Sequence, residues 1–136
     1  LFKRYFIMGL DQSWLFKEDD KDLQDLCVAG DVTDEFLEGL YEFYTHRKQP
    51  ALEFYMAELA DEQGLIGDFN CAYLRIHQED LDDLKKRVLD KTLNENATGF
   101  FWGGHQPEDY EDFLKAIDEA QQHLDDGNAV YYSSWW

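Results

Sequence analysis

The spacing of apolar and polar residues places most elements of this chain. Arg4 to Met8 and Asp11 to Phe16 read as extended, and Gly9 between them predicts a first strand bent at the glycine. Glu18 to Asp25 is acidic, with Leu23 and Leu26 predicting a short helix stopped by Gly30. Asp31 and Asp34 resemble a helix start, with carboxylates at the positive end of the dipole. Phe36, Leu37, Leu40, Tyr41 and Tyr44 continue at helical spacing toward a basic end at His46-Arg47-Lys48. Pro50 suits the first turn of a second helix, with Leu52, Tyr55, Met56 and Leu59 as its apolar face and Gly64 as its stop. These two helices are expected to form an antiparallel hairpin.

Downstream, Cys71 to Ile76 reads as a strand, and Gln78 onward as a helix turning Leu81, Leu84, Val88 and Leu89 inward. Thr98 to Trp102 reads as a further strand after a loop at Asn94 to Ala97. Pro107 opens a last helix, marked on one face by Tyr110, Phe113, Leu114, Ile117 and Leu124 and ended by Gly127-Asn128. Ala129 to Ser134 closes the chain as a strand. The sum is one α+β domain over residues 1–136, a small three- or four-stranded sheet with about four or five helices packed on it. Two aromatic blocks, Phe100-Phe101-Trp102 and Tyr131 to Trp136, are its expected centre. Phe100, Trp102, Tyr131 and Trp135 are assigned to the core, and either Phe101 and Tyr132 on the other strand face, or the last residue Trp136, are the candidates for exposure.

Charge changes this picture more than any motif does. There are 30 acidic residues against 12 basic ones, a net charge of -18, while aromatics make up 16% of the chain. Acidic disordered tails lack aromatics, so the chain reads as a folded domain in an acidic shell. Such a shell repels nucleic acid and anionic membrane and attracts basic proteins or cations. No apolar run is long enough to span a bilayer, and no signal peptide is legible. With two cysteines, Cys27 and Cys71, expected as free thiols, the expected setting is cytoplasmic. Asn96-Ala97-Thr98 fits a sequon without meaning in that setting. Met8-Gly9-Leu10-Asp11-Gln12-Ser13 fits a myristoylation pattern, a short match that occurs often by chance, and raises the expectation that Leu1 to Ile7 is an extension before a natural start at Met8.

Four stretches, Met8-Gly9-Leu10-Asp11, Arg47-Lys48 before Phe54-Tyr55, Thr98 to Gly103 and Tyr131 to Trp135, together resemble a family of small uncharacterised tailed-phage and prophage proteins. The resemblance runs over nearly the full chain from Met8. The chain departs from the family at Gln12-Ser13, where Met-Tyr is usual, and at Thr45-His46, where an aromatic pair is usual. It implies a phage-encoded protein acting in the host bacterial cell. Some members carry a phosphoglycerate kinase label, but this chain is far too short for that two-domain enzyme and has no glycine-rich loop leading to a lysine.

Candidate chemistry is thin. Gly99 to Gly104 lacks the lysine that a phosphate loop needs. His46, His77, His105 and His123 are scattered; His105 and Asp109 alone are four apart, and no metal or cofactor is expected. Ser133-Ser134 and Thr98 have no recognisable His-Asp arrangement, and with 30 acids paired carboxylates are unavoidable, so no catalytic residue is assigned. The sharpest feature is the acidic helices. Glu108, Asp109, Glu111, Asp112, Asp118, Glu119, Asp125 and Asp126 lie on or beside the last one, and Glu79, Asp80, Asp82 and Asp83 open an earlier one. Acids four apart rise about 6 Å along a helix, similar to neighbouring phosphates. The leading expectation is therefore a non-enzymatic interaction protein that binds a basic host or phage protein, with Trp136 as an aromatic anchor; its finer form is a DNA-mimic inhibitor of a basic nucleic-acid-binding host or defence protein. The alternative is a small enzyme or ligand binder with a pocket walled by Thr98, Phe101, Trp102, His105 and Tyr132.

Overall fold

A computed structural model of the chain describes residues 9–20, 22–93 and 110–136. Within these, five strands form one antiparallel sheet: β1 (Asp11–Glu18), β2 (Leu26–Cys27), β3 (Tyr41–Arg47), β4 (Tyr73–Ile76) and β5 (Asn128–Trp135), in the order β2-β4-β5-β1-β3. Four helices accompany it: the single turn α1 (Asp34–Leu37), then α2 (Pro50–Glu62), α3 (Gln78–Asp90) and α4 (Tyr110–Asp125). The α+β class is as expected, with five strands rather than three or four.

The parity of the strands decides which side chains meet the helices. In β1, Gln12 and Trp14 are buried, and in β5 Val130, Tyr132 and Ser134. Tyr132 stands directly across from Trp14, the two rings edge-on at 5.7 Å. Leu74 and Ile76 of β4 continue this face. Against it pack Leu52, Met56 and Leu59 of α2, Leu81, Leu84 and Val88 of α3, and Phe113, Ala116, Ile117 and Ala120 of α4. Leu89, expected to face inward, is 59% exposed, one position past the stripe that Leu81, Leu84 and Val88 define. β5 holds the centre of the sheet and is buried on both faces from Ala129 to Tyr132, as a central strand should be. Gly127, at φ +87, allows the tight reversal from α4 into it.

Tyr131 faces the opposite side. Phe36 of α1 lies edge-on to Tyr131 and Tyr73, at 5.2 and 5.4 Å, and the Tyr131 hydroxyl donates to the Gln24 carbonyl. The segment from β1 to β3 thus covers part of the second face. Tyr131 was expected against Phe113; its neighbour Tyr132 takes that place, because a shift of one residue in a strand reverses the face. Tyr132, a candidate for exposure, is fully buried, and Trp135, assigned to the core, is 67% exposed. Trp136 is half-buried, held through its backbone by Asn70.

The region from Glu18 to Lys48 differs most from expectation. No helix forms around Leu23 and Leu26; Leu26–Cys27 pairs with β4, and Ala29–Asp31 is a 3-10 turn. The helix begun at Asp34, capped by the Thr33 hydroxyl, ends after one turn because Gly39 takes a left-handed backbone, φ +81. Tyr41 to Arg47 then extends and pairs with β1. Its run of aromatics and threonine favours a pleated surface, and a register shift opposite Trp14 and Leu15 turns Phe43 onto the helix side, near Trp14 and Phe16. The helical hairpin is therefore a strand running into α2. The expected strand at Thr98 to Trp102, the loop before it, Pro107 and the segment Arg4 to Met8 lie outside the described residues.

Cys27 is buried and Cys71 half-buried, both free thiols. Burial, and then Asp31, push the Cys27 thiol up, which slows its reaction. In a disulfide-exchange assay of native protein Cys71 is expected to react first, and unfolded, unreduced protein to show both thiols. A Cys27–Cys71 disulfide detected by mass spectrometry would contradict this.

Candidate functional site

The inner sheet face carries two buried polar networks. In the first, the Trp14 indole N–H donates to His46 Nε2 at 2.9 Å, and His46 Nδ1 lies 2.8 Å from Asp112 Oδ2, whose other oxygen accepts from the Tyr44 hydroxyl. Indole nitrogen can only donate, so Nε2 must present its lone pair and the ring proton sits on Nδ1, pointing at Asp112. This chain ties β1, β3 and α4 together. Asp112 is therefore a structural carboxylate, although the sequence placed it among the partner-binding acids.

The second network centres on Glu53, which is fully buried in the first turn of α2. The Tyr132 hydroxyl donates to Oε1 at 2.8 Å and the Ser134 hydroxyl to Oε2 at 2.7 Å. Gln12 Nε2 donates to the Tyr132 oxygen at 2.8 Å and to the Gln49 carbonyl at 3.0 Å, and its own Oε1 accepts the Gln49 N–H at 2.9 Å. Loss of hydration pushes the Glu53 carboxyl up to about 7, outweighing the two hydroxyls that favour its anion. A raised carboxyl is a common mark of a catalytic acid. Here it has no accessible face: its hydrogen bonds clamp α2 onto β5, and Gln12 ties β1 to Tyr132 and to Gln49 at the start of α2.

Two groups of surface acids bear on the predicted interface, one on α4 and one from Glu18 to Glu38. On α4 and the turn after it, Glu111, Asp118, Glu119, Asp125 and Asp126 are exposed. Glu111, Asp118 and Asp125 share one face at seven-residue intervals, about 10.5 Å apart along the axis. Lys115 falls between the first two, so α4 alone does not reproduce phosphate spacing. Asp125 and Asp126 stand at the carboxyl end, where the helix dipole disfavours anions by about 0.3–1 kcal/mol. They are badly placed for stabilising the helix. The acids of α3 are more heavily engaged. Asp80 caps the His77 N–H, Asp83 accepts from Tyr55 and Arg87, and Asp90 pairs with Lys86.

The second group covers the acidic stretch Glu18 to Asp25 and the expected helix start at Asp31 and Asp34, to which no site was assigned. From Lys17 to Glu38 the sequence holds nine carboxylates, at 18, 19, 20, 22, 25, 31, 34, 35 and 38, against two lysines. All nine are exposed. Asp19 pairs with Arg75 at 3.0 Å and Asp25 with His77 at 2.8 Å. Glu18, Asp19, Asp20 and Glu38 meet Asp126 around a groove of about 1170 Å³, with Phe16 and Tyr41 as its apolar side. Lys17 also lines it and donates to the Glu38 carbonyl. Tyr41 is 62% exposed, and Phe16 beneath it stacks on His123 at 3.9 Å. The groove joins the two groups, since Asp126 directly follows α4. Density of acids in the sequence could have pointed to this corner; Tyr41 could not, because it was assigned to a helix.

Glu108, Asp109, Thr98, Phe101, Trp102 and His105 lie outside the described residues. Of the pocket alternative, Tyr132 alone is described, and its burial removes it from any accessible wall. Trp136 is half-buried, and Trp135 is the exposed indole. Among the described residues no three His, Cys, Asp or Glu side chains are placed to hold a metal together, and no helix is long and apolar enough to cross a membrane. No protein-family model matches the chain, and comparison with curated proteins and with solved structures finds no significant match.

Proposed function

We infer that this chain is a non-enzymatic interaction protein whose partner is a basic protein. The observation that carries the reading is the acidic groove between the end of β1, the α1–β3 turn and the end of α4. Five carboxylates surround it beside an exposed tyrosine, and the carboxylate face of α4 continues from its rim. A groove of this size accepts a segment of chain rather than a single ion. Tyr41 adds a π face to which arginine or lysine is drawn. The placement of Asp125 and Asp126 against the helix dipole supports a role for them beyond α4 itself.

The phage resemblance suggests where such a protein acts: in a bacterial host, against a nucleic-acid-binding host or defence protein, or with a basic protein of the phage. DNA mimicry is the finer form of the reading. Carboxylates on two surfaces joined at the groove would then stand for phosphates, because α4 by itself has the wrong interval. The test is capture of basic proteins from host lysate at low salt, followed by competition with duplex DNA. Mimicry requires that DNA displace the captured protein; capture that DNA leaves intact supports a basic partner without mimicry. Failure to retain any basic protein at low salt contradicts the reading.

A further inference from the structure

Among the described residues, the sheet face opposite the helices is only partly covered. Phe36 closes over Tyr131 and one side of Tyr73, and beyond them the outward side chains of β1, β3 and β5 align in rows. Trp135, Asp11 and Arg47 are cross-strand neighbours in one row, and Ser133, Ser13 and Thr45 in the next, which Tyr73 extends onto β4. Small serines between larger neighbours leave a depression. Asp11, Ser13, Glu42, Tyr73, Ser133 and Trp135 border this cavity of about 300 Å³, the size of one long side chain. It lies on the face opposite Glu53 and the buried networks.

Three of its features bear on what it takes. Trp135 is 67% exposed, so the largest apolar side chain of the strand forgoes burial. Glu42 Oε2 accepts from Ser13 Oγ at 2.7 Å, and Asp11 Oδ1 meets Arg47 Nε at a loose 3.4 Å. Each carboxylate retains acceptor capacity beyond that one contact. An aromatic face beside two carboxylates is complementary to a planar cation. Arg47 shows that a guanidinium reaches Asp11 from the β3 side.

We propose that this cavity binds an arginine side chain of the basic partner, its guanidinium stacked on Trp135 and its N–H edge donating to Asp11 and Glu42. This rests on the reading of the chain as a binder of basic proteins and adds a site on the other face from the helices. Arginine is specified over lysine because only the guanidinium is flat enough to stack while presenting a fork of donors to carboxylates. Phosphate and nucleic acid are excluded by the same carboxylates.

The test is calorimetric titration of the full chain with octa-arginine and octa-lysine peptides at one ionic strength. Wild type is expected to bind octa-arginine about fivefold more tightly than octa-lysine. Trp135→Ala changes an exposed side chain. It should bring octa-arginine down to the octa-lysine affinity and leave octa-lysine binding unchanged. Glu42→Gln should reduce the arginine preference in part. Equal affinities in wild type, or a preference that survives Trp135→Ala, would overturn the proposal and leave the acidic reading standing. If neither peptide binds, the reading of the chain as an acidic binder fails, and this proposal with it.

Discussion

Replacing Phe113 with Asp is expected to unfold the protein. Phe113 is 1% exposed, packed on the Trp14, Val130 and Tyr132 face of the sheet and edge-on to His46 at 5.3 Å. Removing a buried phenylalanine costs roughly 3–5 kcal/mol from lost packing alone. An unpaired carboxylate in that place adds several kcal/mol of desolvation. A domain of this size is stable by about 5–15 kcal/mol, so little remains. The Asp112–His46–Trp14 chain begins one residue away and would lose its footing with α4. Near-ultraviolet circular dichroism should lose its aromatic signal, whereas Phe113→Leu should keep it at a cost of about 1 kcal/mol. A cooperative, native-like spectrum from Phe113→Asp would mean that α4 does not pack on the sheet through this side chain.

Glu53→Gln is expected to change how stability depends on pH. The folded carboxyl lies at about 7, against an ordinary value of 4.5. Below 4.5 both folded and unfolded chains hold the proton, and the full contribution of the neutral acid is present. Between 4.5 and about 7 only the folded chain holds it, so stability falls as pH rises, and above about 7 the loss is complete. That difference corresponds to roughly 3 kcal/mol. Glutamine imitates the neutral acid: its amide oxygen accepts from one of the two hydroxyls and its NH2 donates to the other, as the acid's O–H would, without carrying a charge. Urea denaturation should therefore find the variant close to wild type near pH 4.5 and more stable near pH 8. Parallel stability curves for the two proteins across this range would show that the buried carboxyl is not held neutral.

The three long helices were readable in the sequence, and the segment between β1 and α2 was misleading. α2, α3 and α4 each carry one apolar stripe with a marked end, Pro50 and Gly64 for α2 and Gly127 for α4, so local pattern and tertiary packing agree. Between Asp34 and Arg47 they disagree. Phe36, Leu40, Tyr41 and Tyr44 satisfy helical spacing, but Gly39 interrupts the chain and β1 offers Tyr41 to Arg47 a partner; only the pairing with β1 decides between the two patterns. Tyr131 and Tyr132 could not be assigned to faces because β5 is central and buried on both sides, which erases alternation. Glu53 was legible in principle. It shares a helical face with Met56 and Ala60, where a carboxylate must find partners, although nothing local names Tyr132 and Ser134 as those partners. The acidic groove needed the fold, since its walls come from three separated parts of the chain.

If exposed carboxylates rather than a pocket chemistry bind the partner, binding must respond to salt. The most direct test is the salt dependence of octa-lysine binding between about 50 and 200 mM salt. Wild type should be compared with Glu18→Gln/Glu38→Gln/Asp126→Asn in the groove and with Asp118→Asn/Glu119→Gln/Asp125→Asn on α4. Asp112 is left intact because it holds His46 and Tyr44. Binding is expected to be steeply salt-sensitive in wild type and markedly weaker, with a shallower slope, in the groove variant. A smaller loss is expected in the α4 variant, with native circular dichroism in both. Affinity and slope unchanged by both variants, in proteins that remain folded, would contradict binding through the exposed carboxylates.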